Sequence, residues 1–176
     1  MFGVNVTDYD RRVWEEELSD FLPDRITDIH VHIWKEGMDR EGTDTENRRG
    51  MVDWTKIVAP DCEVEDLLHS YTQMFPGKTV KPVLMGWPSC DLVKVNNYAI
   101  DCARRYDLPA MYCTSWDTPP EEIRRALTTG GFIGLKPYLN NSPSWIPPKE
   151  VRIFDFLPHS HLEIANELGA IIMLHI

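Results

Sequence analysis

Strand-like runs separated by helices of about 10 to 13 residues predict an α/β domain built on a parallel sheet. Two observations carry that prediction. Apolar runs begin near residues 26, 81, 109, 132 and 170, and amphipathic segments connect them. The connecting segments stop at glycines, with Gly130-Gly131 closing one and Gly169 another, where a helix C-terminus favours that residue. The spacing of about 36 residues per unit would bring a closed eight-unit barrel to about 290 residues, against a typical size near 250. Two architectures therefore fit: an open five-stranded α/β sheet, or the first five strands of a (β/α)8 barrel.

The elements follow from local pattern. Residues 9–22 place Val13, Trp14, Leu18, Phe21 and Leu22 at helical spacing, and Pro23 stops that helix. The first strand runs from Ile26 to Ile33, and the stretch 34–62 is polar, charged and glycine-containing. A helix over Glu63 to Met74 puts Val64, Leu67, Leu68 and Tyr71 on one side. Pro82 to Trp87 is a short strand, and Val95 to Tyr106 a helix with Tyr98, Ala99, Cys102 and Ala103 turned inward. Pro109 to Ser115 reads as a strand, Pro119 to Leu127 as a helix opened by prolines, and Phe132 to Leu139 as the fourth strand. Pro158 to Leu168 is a helix, and Ala170 to Ile176 a final strand expected to be buried on both faces. Internal repeats and low-complexity runs are absent from the sequence.

Composition narrows the class. The chain has 176 residues, 43% of them hydrophobic, so it can bury enough surface to fold. Its net charge of −10 and lack of a basic run argue against a nucleic-acid partner. The sequence holds no apolar stretch of the roughly 18 to 20 residues needed to span a bilayer, so no membrane partner is expected. Its first residues lack the basic and apolar regions of a signal peptide, so a cytoplasmic setting is expected. Cys62, Cys90, Cys102 and Cys113 include no Cys-x-x-Cys pair and read as free thiols.

The chemistry concentrates in Asp28-Ile29-His30-Val31-His32. Side chains two apart on a strand share a face, so Asp28, His30 and His32 point one way and Ile29, Val31 and Ile33 the other. Buried imidazoles need partners for their ring nitrogens. They are also ready ligands for a divalent metal. His175, after the apolar run 170–174, sits at the same carboxyl end of a strand, where α/β proteins place their sites. Three imidazoles then converge on one mouth.

Lys136 shares a face with Gly134 and Tyr138 on the fourth strand. A buried lysine there requires an acid such as Asp28, a substrate carboxylate, or carbamylation to bridge two metals. His159 and His161 have the same spacing as the first pair. They open a helix, where residues two apart diverge, so a solvated helix start is expected. Trp87 and Trp116 lie at strand ends, as rim packing or as flanks for a planar substrate. Arg48 and Arg49 fall in the long first loop, as a solvated charged segment or as a lid that captures a carboxylate.

These residues resemble the amidohydrolase superfamily. Asp28-Ile29-His30-Val31-His32, Gly134-Leu135-Lys136-Pro137-Tyr138 and the helix-Gly-strand ending in His175 are most similar to the amidohydrolase-related branch of metal-dependent TIM-barrel hydrolases and decarboxylases. The resemblance implies a (β/α)8 barrel whose first five strands this chain covers. Residues 1–24 would then be an N-terminal helical extension, and 25–176 the N-terminal half of the barrel. It implies metal ligation by His30, His32 and His175, with His175 and Lys136 as catalytic residues. The family's sixth-strand histidine and eighth-strand aspartate have no counterpart here.

The expected cofactor is a divalent metal, zinc first and manganese or iron as alternatives. The implied activity is hydrolysis of an amide, ester or lactone through a metal-activated water. Decarboxylation of a carboxylated aromatic-like or muconate acid is the alternative. A small, carboxylate-bearing substrate and a homo-oligomer are the expected partners. Two further readings are a non-catalytic half barrel that self-associates through its last strand and a flavodoxin-like module. The flavodoxin-like reading ranks last, because Trp34-Lys35-Glu36-Gly37-Met38 offers no glycine-rich phosphate cradle.

Overall fold

Helix α1, Asp8–Val13, opens with a capping box in which the Thr7 hydroxyl accepts from the Asp10 amide and the Asp10 carboxylate accepts from the Thr7 amide. The structure, a computed structural model, describes residues 5–40 and 58–175. Helix α1 continues into a π-helical turn at Trp14–Leu18. Strand β1, Arg25–Ile33, is followed by α2, Val64–Met74, and by β2, Thr79–Gly86. Helix α3, Leu92–Tyr106, is capped by the Asp91 side chain, which accepts from the Lys94 amide, and ends at Asp107 in a left-handed conformation. Next come β3, Met111–Thr114, α4, Pro120–Arg125, and β4, Gly134–Pro137. The chain then passes through α5, Ile153–Phe156, and α6, His159–Leu168, to β5, Ile171–Ile172.

The expected strands are present in order and all pair in parallel, but they do not form the first five strands of a barrel, nor one five-stranded sheet. They divide into a two-stranded sheet, β1-β2, and a three-stranded sheet, β3-β4-β5. The expected (β/α)8 TIM barrel of the metal-dependent hydrolase type is therefore corrected to a small α/β domain with two short parallel sheets. Between β2 and β3 there is a single bridge, Leu84 to Ala110.

The physical reason is a side chain from α3. Buried Asn96 donates through Nδ2 to the Cys113 carbonyl and accepts through Oδ1 from the Cys113 amide, both at 2.9 Å. Those are the backbone groups through which β3 would otherwise ladder onto β2. An amide side chain has the donor and acceptor of a peptide unit, so it ends the sheet without orphaning buried groups. Strand β5 is also shorter than expected, and its Ile171 is 55% exposed, so it is not buried on both faces.

One face of the sheets packs on the helices through Ile33, Val64, Leu84, Ala99, Ala103 and Phe132. On the other face Val83, Met85, Met111, Cys113 and Tyr138 meet. This second cluster lies beneath the carboxyl ends of β1, β2 and β4, where the polar residues gather. Among the described residues no helix is long and apolar enough to cross a membrane. None of the four cysteines is in a disulfide, and three of them are buried.

Candidate functional site

Strand β1 changes register between Asp28 and Val31, and this irregularity separates residues that simple alternation would group. Asp28 turns to α2: its Oδ2 accepts from the Tyr71 hydroxyl at 2.8 Å and its Oδ1 from the His30 amide at 3.1 Å. It therefore does not serve as the acid for Lys136. His30 and His32 stay together, with Nε2 atoms 3.1 Å apart.

The tautomer of His32 follows from its other nitrogen. Its Nδ1–H donates to the Gly86 carbonyl at 3.0 Å, which leaves the Nε2 lone pair facing His30. The same carbonyl accepts from the Tyr138 hydroxyl at 2.6 Å. Gly86 is required at this point, because a Cβ would lie 2.4 Å from both Val95 methyl carbons. Close approach of α3 to β2 thus sets the carbonyl that orients His32. Burial pushes the His32 pKa down to about 4, opposed by the bond to Gly86 and reinforced by His30, Lys136 and His175. The pKa values of His30 and His175 are also lowered, first by burial and then by Lys136. All three imidazoles are therefore neutral near pH 7, the protonation state that ligates a metal.

Lys136 is fully buried, and its Nζ lies 3.3 Å from His30 Nε2 and 5.3 Å from the centre of the Tyr138 ring. Among the described residues it forms no salt bridge, and burial lowers its pKa. Its position creates a conflict at His30. If His30 Nε2 carries the proton it satisfies His32 but points N–H at an ammonium. If it is bare it accepts from Lys136, and two lone pairs then oppose each other at 3.1 Å. A cation shared by the two lone pairs removes the conflict. The 3.1 Å span also matches two nitrogens each about 2.1 Å from one ion, at a ligand angle of roughly 95°. The two imidazoles can share one divalent ion, and among the described residues no third His, Cys, Asp or Glu side chain joins them at that spacing.

His175 approaches from the end of the chain. Its backbone bridges Tyr138 in parallel, and its ring centroid lies 5.4 Å from that of Tyr138. Among the described residues no three His, Cys, Asp or Glu side chains are gathered at metal-holding distance, so the structure brings together His30, His32 and Lys136, with His175 one aromatic ring away. Trp87 packs edge-on against His32 at 5.1 Å and lies tilted against Trp34 at 5.1 Å, whereas Trp116 pairs with Trp145. Arg48 and Arg49 lie outside the described residues.

His161 departs from expectation. It is 1% exposed, and its Nε2 bonds the Thr118 carbonyl at 2.8 Å, so it belongs to the core rather than to a solvated helix start. His159 instead stacks on Phe154. Arg40 escaped the sequence reading. Its Nε donates to the Cys90 carbonyl and its Nη2 to Asn141 Oδ1, while Asn141 Nδ2 donates to the Thr114 carbonyl. One guanidinium and one amide thus tie together the loops that follow β1, β2, β3 and β4, and no local pattern announces such a contact.

Comparison of the chain with models of known families, with characterised proteins and with solved structures finds no match.

Proposed function

We propose that the chain is a metal-dependent hydrolase acting on an amide, ester or lactone, with His30 and His32 as metal ligands and His175 completing the nitrogen set. The observation that carries this reading is the pair of imidazole Nε2 atoms 3.1 Å apart, with the buried Lys136 amine 3.3 Å from one of them. The residues quoted for the amidohydrolase resemblance support the same reading. A nitrogen-rich site favours zinc, with manganese or iron as alternatives. A divalent cation held there supplies Lewis acidity, lowering the pKa of water toward about 7 and polarising a carbonyl oxygen.

The chain's own groups prepare the site. Gly86 and Tyr138 hold His32 in one tautomer, and Trp87 packs edge-on against its ring. Lys136 places a buried positive charge 3.3 Å from His30, and a carboxylate-bearing small molecule suits that field. That ammonium, in no salt bridge among the described residues, also supports a second reading, decarboxylation of a carboxylated aromatic-like or muconate acid at the same site. The proposal extends to a cytoplasmic setting and to self-association along the exposed edge of β5.

The test is metal content. Protein purified without added metal, then equilibrated with zinc and desalted, is expected to retain about one equivalent by plasma mass spectrometry. The His30→Ala/His32→Ala variant is expected to retain none. Hydrolysis of nitrophenyl esters, anilides and lactones, or release of carbon dioxide from aromatic acids, should depend on that metal. A folded wild-type chain that holds no more zinc than the double variant overturns the proposal.

A further inference from the structure

The N-terminal helix is the least supported element of the fold. Neither α1 nor the π-helical turn after it contains a buried residue, although the segment carries Tyr9, Val13, Trp14 and Leu18. A helix of this length is marginal in water without a packed apolar face. Its contact with the domain runs through Trp14, whose ring meets Phe75 edge-on at 6.1 Å. Between this helix and the carboxyl end of α2 lies a cavity of about 810 Å³, lined chiefly by Tyr9, Val13, Trp14, Leu18, Met74 and Phe75. Tyr9 is 66% exposed and Met74 41% exposed. Cavities of this size and composition belong to the range that takes a ligand.

The charges beside the cavity select the occupant. From residue 8 to 20 the acids Asp8, Asp10, Glu15, Glu16, Glu17 and Asp20 outnumber the bases Arg11 and Arg12. Arg11 lines the groove beside Asp10 and Glu15, but its guanidinium is already engaged by Asp8 and the Val6 carbonyl. Glu15, Glu16 and Glu17 are exposed on the turn that bounds the groove. A second copy docked at this groove would bring the same acidic strip against itself. A cationic partner meets it favourably. The flank from Tyr9 to Leu18 is about 14 Å long at 1.5 Å per residue, which spans anchors at i, i+4 and i+7 of a helix.

We propose that the groove between the N-terminal helix and the end of α2 docks a basic amphipathic helix of a partner protein. The partner's apolar anchors enter among Trp14, Met74 and Phe75, and its lysines or arginines meet Glu15 on the groove wall within the field of the neighbouring Glu16 and Glu17. The π-helical turn lies at this surface, and such turns recur at functional sites.

Fluorescence anisotropy of a labelled 14-residue Leu/Lys amphipathic peptide tests the proposal on the full chain, with a Leu/Glu peptide of the same pattern as control. The Leu/Lys peptide is expected to bind at least tenfold more tightly than the control. Met74→Asp and Glu15→Lys/Glu16→Lys/Glu17→Lys should each weaken it at least tenfold, with far-ultraviolet circular dichroism confirming the fold of each. The variant Asp101→Lys/Glu150→Lys/Glu163→Lys, an equal change in charge at other exposed positions, should bind as the wild type does. Equal weakening by both charge reversals, equal binding of both peptides, or binding of neither overturns the proposal. So does a wild-type dimer in sedimentation velocity that Met74→Asp dissolves, which would assign the groove to a second copy.

Discussion

Lys136 is the residue where structure and stability are most at odds. An ammonium with no exposure and no carboxylate among the described residues opposes folding, because burial favours its neutral form. His30 supplies one acceptor at 3.3 Å, which satisfies a proton of the ammonium but not its charge. Replacing it with an apolar side chain of similar length removes that cost. Lys136→Met is therefore expected to stabilise the metal-free protein by about 1–3 kcal/mol in urea unfolding at pH 7.5. A destabilised variant would mean that the ammonium has an anionic partner in solution. The lysine's place on the strand was readable from its spacing to Gly134 and Tyr138. Its missing acid was not, because the register change in β1 sends Asp28 to Tyr71 and only pairing with β2 reveals that change.

Among the elements, the helix α3 does two jobs that its sequence does not display. Its apolar face, with Ala99, Cys102 and Ala103, follows the expected periodicity and packs where it should. Asn96 reads as an ordinary polar helix residue, yet it closes the edge of β3 by taking both backbone groups of Cys113. Asn96→Leu leaves an N–H and a C=O buried without partners. The expected cost is about 2–6 kcal/mol, the sum of two such groups, measured as a fall in the urea midpoint. A loss below 0.5 kcal/mol would mean that β2 moves in to complete the ladder. Helix stops were legible because their causes are local: Gly131 and Gly169 adopt positive φ, which glycine allows without strain. The division of the sheet was not, because its cause lies 17 residues away in the chain.

At the scale of the whole molecule, the imidazoles set the response to acid. His30, His32, His161 and His175 all have pKa values lowered chiefly by burial. The unfolded chain then takes up protons near the ordinary histidine value of about 6.5, before the folded chain does. Stability is full above that pH and is lost as the pH falls through the depressed values, down to about 4 for His32. The urea midpoint should therefore drop between pH 7 and pH 5. The drop should be smaller in His161→Gln, which keeps a donor for the Thr118 carbonyl without the titrating ring. An unchanged midpoint across that interval would show that these imidazoles titrate as they do in the unfolded chain.

What the sequence determined by itself is whatever depends on neighbours in the chain. The alternation of strand and helix, the glycine and proline boundaries, the apolar faces of α2 and α3 and the nearness of His30 to His32 all follow from spacings of a few residues. The apolar residues at helical spacing over 9–22, by contrast, are not buried. Tertiary structure alone decided how the strands divide into two sheets, that Asp28 leaves the histidines, that Gly86 orients His32, and that His161 is core. Each of these depends on residues far apart in the chain competing for one donor, one acceptor or one volume. Such competition is settled by close packing and hydrogen-bond satisfaction, which no local pattern encodes.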